Sequence, residues 1–275
     1  MKIDAHHHFW RYSPDQYAWI STDMAVLRRD FLADDLRQAM HAEGIDGVVT
    51  VEARQSVEET RWLLELAQEH ECIKGVVGWL PLAADNIQAE LDRWSKHSKL
   101  KALRHVLHDE PDDAYMLGAE FNHGIQLLQK FNLAYDILIF EKHLSQTIRF
   151  VDQHPNQIFV LDHIAKPRIK DRVIEPWNRL IAELAKRPNV FCKLSGVVTE
   201  ADHRSWSSAD IQPYLDTVLN AFGPSRLMFG SDWPVCLLAV SYARWVRTIH
   251  EFIAPLSATE REQILGSTAA KAYRL

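Results

Sequence analysis

The residues best equipped for chemistry stand where short apolar runs end. The chain opens Ile3-Asp4-Ala5-His6-His7-His8, and on an extended strand His6 and His8, two positions apart, point both imidazoles to one side. That arrangement suits two ligands of one ion, with His7 turned away in a structural role. A histidine trio also occurs in expression tags, but this one follows an apolar strand start. The run Leu227-Met228-Phe229-Gly230 leads into Ser231-Asp232, and Trp233-Pro234 stiffens the chain behind it. A carboxylate there caps a turn or, facing histidines, serves as general base or metal ligand. His163, after Val160-Leu161-Asp162, is a third ligand, a catalytic group or a satisfied core histidine. Arg104 and His105 close another run, where they either pair with a carboxylate such as Glu52 or Asp136 or hold substrate oxygens. Glu52, Arg54, His108 and Lys193 stand at similar ends, Lys193 also reading as a lysine that snorkels to water. No Ser or Cys is paired with a base in any motif, so a covalent intermediate is not expected.

Such groups need a scaffold that gathers strand ends. Eight runs read as strands: Lys2–Ala5, Gly47–Val51, Ile73–Gly78, Leu100–Arg104, Leu133–Ile137, Ile158–Leu161, Val190–Lys193 and Arg226–Gly230. Most are continuously apolar, as parallel strands covered on both faces should be. Helical patterns alternate with them at Asp34–Ala42, Asp85–His97, Ala114–Phe131, Leu144–His154, Glu175–Lys186, Ile211–Phe222 and Ala239–Phe252. Ser56-Val57-Glu58-Glu59 and Ser257-Ala258-Thr259-Glu260 are capping boxes that open two more helices. Phe9–Met24 and Ser195–Ser208 read as long loops that shape an active site. A doubly wound open sheet also alternates strand and helix, but no Gly-rich phosphate loop follows the first strand. The pattern therefore predicts an α/β fold, a (β/α)8 barrel in one domain over residues 1–275, with its chemistry at the C-terminal strand ends.

Composition narrows the partners. A chain of 275 residues fits the roughly 250 of such barrels, and 47% hydrophobic with 25% charged residues is ordinary for a globular protein. A formal charge of −6 leaves no basic footprint for nucleic acid. Met1-Lys2-Ile3-Asp4 runs directly into polar residues without a signal-like apolar region, and no apolar run suits a membrane span. Three cysteines, none in a Cys-x-x-Cys pair, suit a reducing compartment, and cytoplasm is the expectation. A homo-oligomer stays open.

Five ordered stretches carry a resemblance: Ile3-Asp4-Ala5-His6-His7-His8-Phe9-Trp10, Leu103-Arg104-His105-Val106, Val160-Leu161-Asp162-His163-Ile164-Ala165-Lys166-Pro167, Lys193-Leu194-Ser195-Gly196 and Phe229-Gly230-Ser231-Asp232-Trp233-Pro234. In these the chain resembles the amidohydrolase superfamily, and within it the sugar-lactonase branch of the amidohydrolase 2 group, enzymes of the fuconolactonase and rhamnonolactonase type. The resemblance spans nearly the whole chain. It implies hydrolysis of a small, sugar-derived lactone, with Asp232 taking a proton from the attacking water. It implies His6, His8, and His163 or Asp232 as ligands of one divalent ion, zinc by ligand type, with metal-free catalysis as the other case. Binuclear relatives bridge two metals with a strand-4 lysine or glutamate. Here that place reads Leu103-Arg104-His105, Lys101 lies too early, and a second cation would sit against Arg104, so at most one metal is expected.

Arg104, His105, Glu52, Arg54 and Lys193 are then the substrate-binding candidates. Two rivals use the same scaffold: hydrolysis of a dicarboxylic lactone of the pyrone or muconolactone type, and metal-dependent decarboxylation. Only Arg54 and Arg104 stand at strand ends, which favours a neutral polyol lactone over a dicarboxylate. A binding protein on a disused barrel would have no need of the set His6, His8, His163 and Asp232.

Overall fold

In the computed structural model, which describes residues 1–275, every predicted strand is present. They are β1 (Ile3–His7), β2 (Gly47–Val51), β3 (Ile73–Gly78), β4 (Leu100–Val106), β5 (Ala134–Leu138), β6 (Phe159–Leu161), β7 (Val190–Leu194) and β8 (Leu227–Phe229). All pair in parallel and in chain order. The ring closes just beyond β8, where Asp232 N donates to His6 O and His8 N donates to Trp233 O, both at 2.7 Å. This is the (β/α)8 barrel the alternation predicts. Its seam runs through three of the candidate site residues.

Outside the barrel lie α1 (Ala33–Ala42), α2 (Val57–Glu69), α3 (Ile87–Trp94), α4 (Ala119–Leu128), α5 (Leu144–Asp152), α6 (Trp177–Leu184), α7 (Ser208–Phe222), α8 (Tyr242–Ile253), α9 (Ala258–Glu262) and α10 (Thr268–Tyr273). The helix expected over Ala114–Phe131 breaks: Gly118 is extended, at φ −63° and ψ 144°, and separates a short turn at Tyr115–Leu117 from α4. The box at Ser257 forms as expected, with Ser257 N bonded to Glu260 Oε2 at 2.9 Å and Glu260 N to Ser257 Oγ at 3.3 Å. The box at Ser56 forms by half. Ser56 Oγ accepts from Glu59 N, but the Glu59 carboxylate turns inward, to the loops after β1 and β2.

Two apolar clusters follow from this geometry. The larger packs strands against helices, while the smaller has members on all eight strands and fills the barrel itself. Ala269, Ala272 and Tyr273 of α10 belong to the inner cluster and stopper the barrel floor. The opposite end, at the C-terminal strand tips, is left for chemistry. No helix is long and apolar enough to cross a membrane.

Candidate active site

Alternation along the strands builds the site. Side chains two apart share a face, so the residue two beyond Ala102, Ala134, Val160 and Phe191 of the inner cluster also points inward. Those residues are Arg104, Asp136, Asp162 and Lys193, all buried. They form one ionic layer. Arg104 bonds Glu52 Oε1 at 2.8 Å and Asp162 Oδ2 at 3.0 Å, while Lys193 Nζ lies 2.9 Å from Asp162 Oδ1 and also holds Asp136. Tyr273 of α10 donates to Asp136 from below at 2.8 Å. Burial would raise the Asp162 carboxyl, but Lys193, His6 and Arg104 outweigh it and hold it well below the usual range. Burial lifts Asp136 to about 6 even with Lys193 opposing.

Above this layer three groups converge. His6 Nε2 and His8 Nε2 are 3.2 Å apart, and Asp232 Oδ1 lies 3.7 Å and 3.4 Å from them. His8 Nδ1 meets Val51 O at 2.9 Å, an acceptor only, so Nδ1 carries the proton and Nε2 presents its lone pair. His6 Nδ1 lies 3.1 Å from Lys193 Nζ, a donor only, and 3.3 Å from Asp162 Oδ1. Two imidazole nitrogens and a carboxylate that converge on one point are the ligand types of a single divalent ion. Ligands about 2.0–2.1 Å from a tetrahedral zinc stand roughly 3.3 Å apart, and the three edges measured here are 3.2, 3.4 and 3.7 Å. Charge agrees: the four carboxylates Glu52, Asp136, Asp162 and Asp232 find ion-pair partners only in Arg104 and Lys193, with Lys166 acting on Asp232 from farther off. The residues present fit a divalent ion.

The expected four-ligand set therefore divides. His6, His8 and Asp232 gather, whereas His163 groups with His6 and Asp162, its ring centroid 4.4 Å from that of His6. His163 opens a run of left-handed residues, His163, Ile164, Ala165 and Lys166, at φ 51°, 49°, 62° and 45°. Asp232 is left-handed too, at φ 57°. A left-handed β-branched Ile is costly, and such strain persists where the surroundings enforce it. Here Trp177 Nε1 holds Ile164 O at 2.8 Å, and Gly196 leaves room for the His163 ring, which a Cβ would approach to 2.4 Å. His163 Nδ1 bonds Ser195 Oγ at 2.9 Å; burial pushes the ring down to about 3, so it is neutral near pH 7. Burial would raise Asp232, but His163, the His8 contact and Lys166 outweigh it and keep it ionised.

A cavity of about 320 Å³ opens over these groups. His8, Arg104, His163 and Asp232 line it at the strand ends; the loops after β8 and β1 add apolar Val235, Leu238, Trp19 and Met24, and the segments after β4, β6 and β7 add polar His108, Lys166, Glu200 and His203. The two loops read as site-shaping supply Trp19, Thr199, Glu200 and His203. Of the five substrate-binding candidates only Arg104 reaches the cavity. Glu52 and Lys193 lie beneath it with 0% exposure, and Lys193 does not snorkel because two carboxylates hold it inside. His105, one position past the inward Arg104, faces the helices, bonded to Glu110 and stacked on Tyr115. Arg54 leans over Tyr17 beside Glu59. His7 turns outward and bonds Thr50 Oγ1 at 2.9 Å, as expected. Asp162 belongs to the site as well, and the step of two from Val160 is the sequence signal that points to it.

Comparison with known proteins agrees with this geometry. A protein-family model described as amidohydrolase matches residues 3–275. An L-fucono-1,5-lactonase of Burkholderia multivorans is 43% identical over all of this chain and 96% of its own length. An L-fucono-1,5-lactonase of Burkholderia ambifaria is 32% identical over the same shares. A crystal structure of a Burkholderia multivorans amidohydrolase with bound zinc superposes with a TM-score of 0.97 at 43% identity, covering 100% of this chain and 99% of that one. With its seam of His6, His8 and Asp232 on a closed (β/α)8 barrel, this chain belongs to the amidohydrolase family.

Proposed function

We propose that this chain opens a small sugar lactone, of the L-fucono-1,5-lactone class, to its hydroxy acid. The observation that carries the reading is the convergence of His6, His8 and Asp232 under a cavity lined by both apolar and polar side chains. The full-length relation to L-fucono-1,5-lactonases supports it. A sugar lactone presents both kinds of surface, a C–H face for Trp19, Met24 and Leu238 and hydroxyls for His108 and the Lys166–Glu200 pair.

Asp232 is the base. Ionised and engaged only by the two imidazoles, it accepts a proton from the water that attacks the lactone carbonyl carbon. Arg104 commits three donors to Glu52 and Asp162, places a fourth 3.5 Å from His6 Nε2 and leaves one of its five for the carbonyl oxygen as charge develops there. The ring C–O bond then breaks, the departing oxygen takes the proton from Asp232, and the product is the open hydroxy acid. His163, neutral and fixed through Nδ1 by Ser195, offers its other nitrogen to the substrate. One divalent ion, zinc by ligand type, would be held by His6, His8 and Asp232, and when bound it would polarise the carbonyl and acidify the attacking water. The partner is the small-molecule lactone. Free cysteines, two of them buried, suit a cytoplasmic setting.

Arg104 and Lys166 are already paired with carboxylates, which leaves no free cation pair for a dicarboxylate. The test is a pH-stat assay on L-fucono-1,5-lactone, other aldonolactones, a pyrone dicarboxylate and a dihydroxybenzoate. Acid release from the aldonolactones is expected. Opening of the pyrone alone, or carbon dioxide from the benzoate, overturns the reading.

A further inference from the structure

Trp19 forms part of the cavity wall, yet it is 39% exposed and sits on the long loop after β1. Its indole Nε1 donates to Ala53 O at 3.0 Å, and Ala53, on the loop after β2, lines the cavity beside it. Two loops thus meet in one wall. What ties them together is the inward-turned carboxylate of Glu59, whose side chain has 0% exposure. Its Oε2 accepts from Ala53 N at 2.8 Å and Arg54 N at 2.9 Å, and its Oε1 accepts from Tyr17 OH at 2.9 Å. Tyr17 lies two residues before Trp19, and Arg54 covers the Tyr17 ring. One buried group on α2 therefore fixes both ends of the Trp19–Ala53 hydrogen bond. A capping residue would have no need of these partners.

We propose that Glu59 is a positioning residue that holds the Trp19 wall of the cavity in place and so sets how tightly substrate is held. The proposal rests on reading the cavity as the lactone site. Without the carboxylate, two half-buried N–H groups and one hydroxyl lose their acceptor, the two loops loosen, and Trp19 must be ordered anew whenever substrate binds. The reacting groups stand on other elements, so binding should suffer while the chemical step does not.

Four variants test this: Glu59→Ala, Glu59→Gln, Trp19→Ala and the Glu59→Ala/Trp19→Ala pair. Glu59→Ala should raise KM roughly three- to tenfold, with kcat close to that of the unaltered enzyme. Trp19→Ala should raise KM similarly, and the double variant should be no worse than the larger single effect, because both remove the same wall. Glu59→Gln should restore much of the loss, since its oxygen still accepts the two N–H groups and its amide can donate to Tyr17. Hydrogen exchange over residues 15–26, measured without substrate, should quicken in Glu59→Ala and recover in Glu59→Gln. If Glu59→Ala does not fold, Tyr17→Phe removes one contact and should give a smaller KM rise with the same quickened exchange. Additive KM effects, or unchanged exchange in the loop, overturn the proposal. If the unaltered enzyme opens no lactone, the function reading fails, and the exchange measurement alone decides the role of Glu59.

Discussion

Replacing Lys193 by methionine isolates the ionic layer beneath the site. The side chain keeps its length and apolar stem but loses the ammonium that lies 2.9 Å from Asp162 Oδ1 and bonds Asp136. Both carboxylates are fully buried, so water cannot replace the lost partner. Arg104 still holds Asp162 at 3.0 Å and Tyr273 still holds Asp136 at 2.8 Å, which softens the loss without removing it. Breaking such a buried pair costs about 3–5 kcal/mol. At ~2–4 °C per kcal/mol for a chain of this size, the thermal midpoint at pH 7.5 should fall by roughly 10 °C. The sign with pH follows from Asp136, which burial already raises from 3.8 to about 6. A carboxyl raised in the folded state favours folding while protonated and loses that contribution as pH rises through its folded value. Removing Lys193 raises it further. The deficit of the variant should therefore be largest above pH 6 and shrink toward pH 5. Thermal unfolding at both pH values measures this, and a variant within about 1 °C of the unaltered protein at pH 7.5, or a deficit that grows on acidification, would refute the reasoning.

Asp232→Asn keeps the shape but removes the basic oxygen, and turnover should fall on the order of 10²–10⁴ with little change in thermal midpoint; near-normal kinetics would remove Asp232 from the mechanism. Arg104→Lys should lose both activity and stability, because an ammonium cannot hold Glu52 and Asp162 together and still face the cavity; kinetics and calorimetry on the same sample check it. Elemental analysis should find at most one equivalent of metal per chain, lost in His6→Ala and kept in His7→Ala, whose ring bonds Thr50 outside the barrel; two equivalents would overturn the strand-4 argument.

Much of the site was legible because it depends on local rules. The step of two that aims His6 and His8 together is a property of any extended strand. The same step, counted from Val160 and Phe191, leads to Asp162 and Lys193, and counted from Ala102 it turns Arg104 inward and His105 to the helices. Which inward charge meets substrate was not legible. Arg104 and Lys193 both end strands as cations, but Arg104 reaches the cavity while Lys193 is held below by Asp136 and Asp162. Depth along the barrel axis depends on how neighbouring strands are staggered, and that is a relation between segments far apart in the chain.

The sequence by itself determined the elements and their order: apolar runs too short for buried helices, amphipathic stretches between them, and an ionisable residue at nearly every strand end. A parallel barrel follows, because runs apolar on both faces must be covered on both. Only the tertiary structure decided the partners. Ser56-Val57-Glu58-Glu59 specifies a cap in local terms, yet Glu59 turns to Tyr17, Ala53 and Arg54 because the folded chain offers it three donors there. The pattern over Ala114–Phe131 reads as one helix, yet it breaks at Gly118. His163 reads as a fourth ligand, yet the left-handed turn that begins there groups its ring with His6 and Asp162. Period and propensity act over a few residues, whereas burial, pairing and strain are settled by groups that meet only once the barrel has closed.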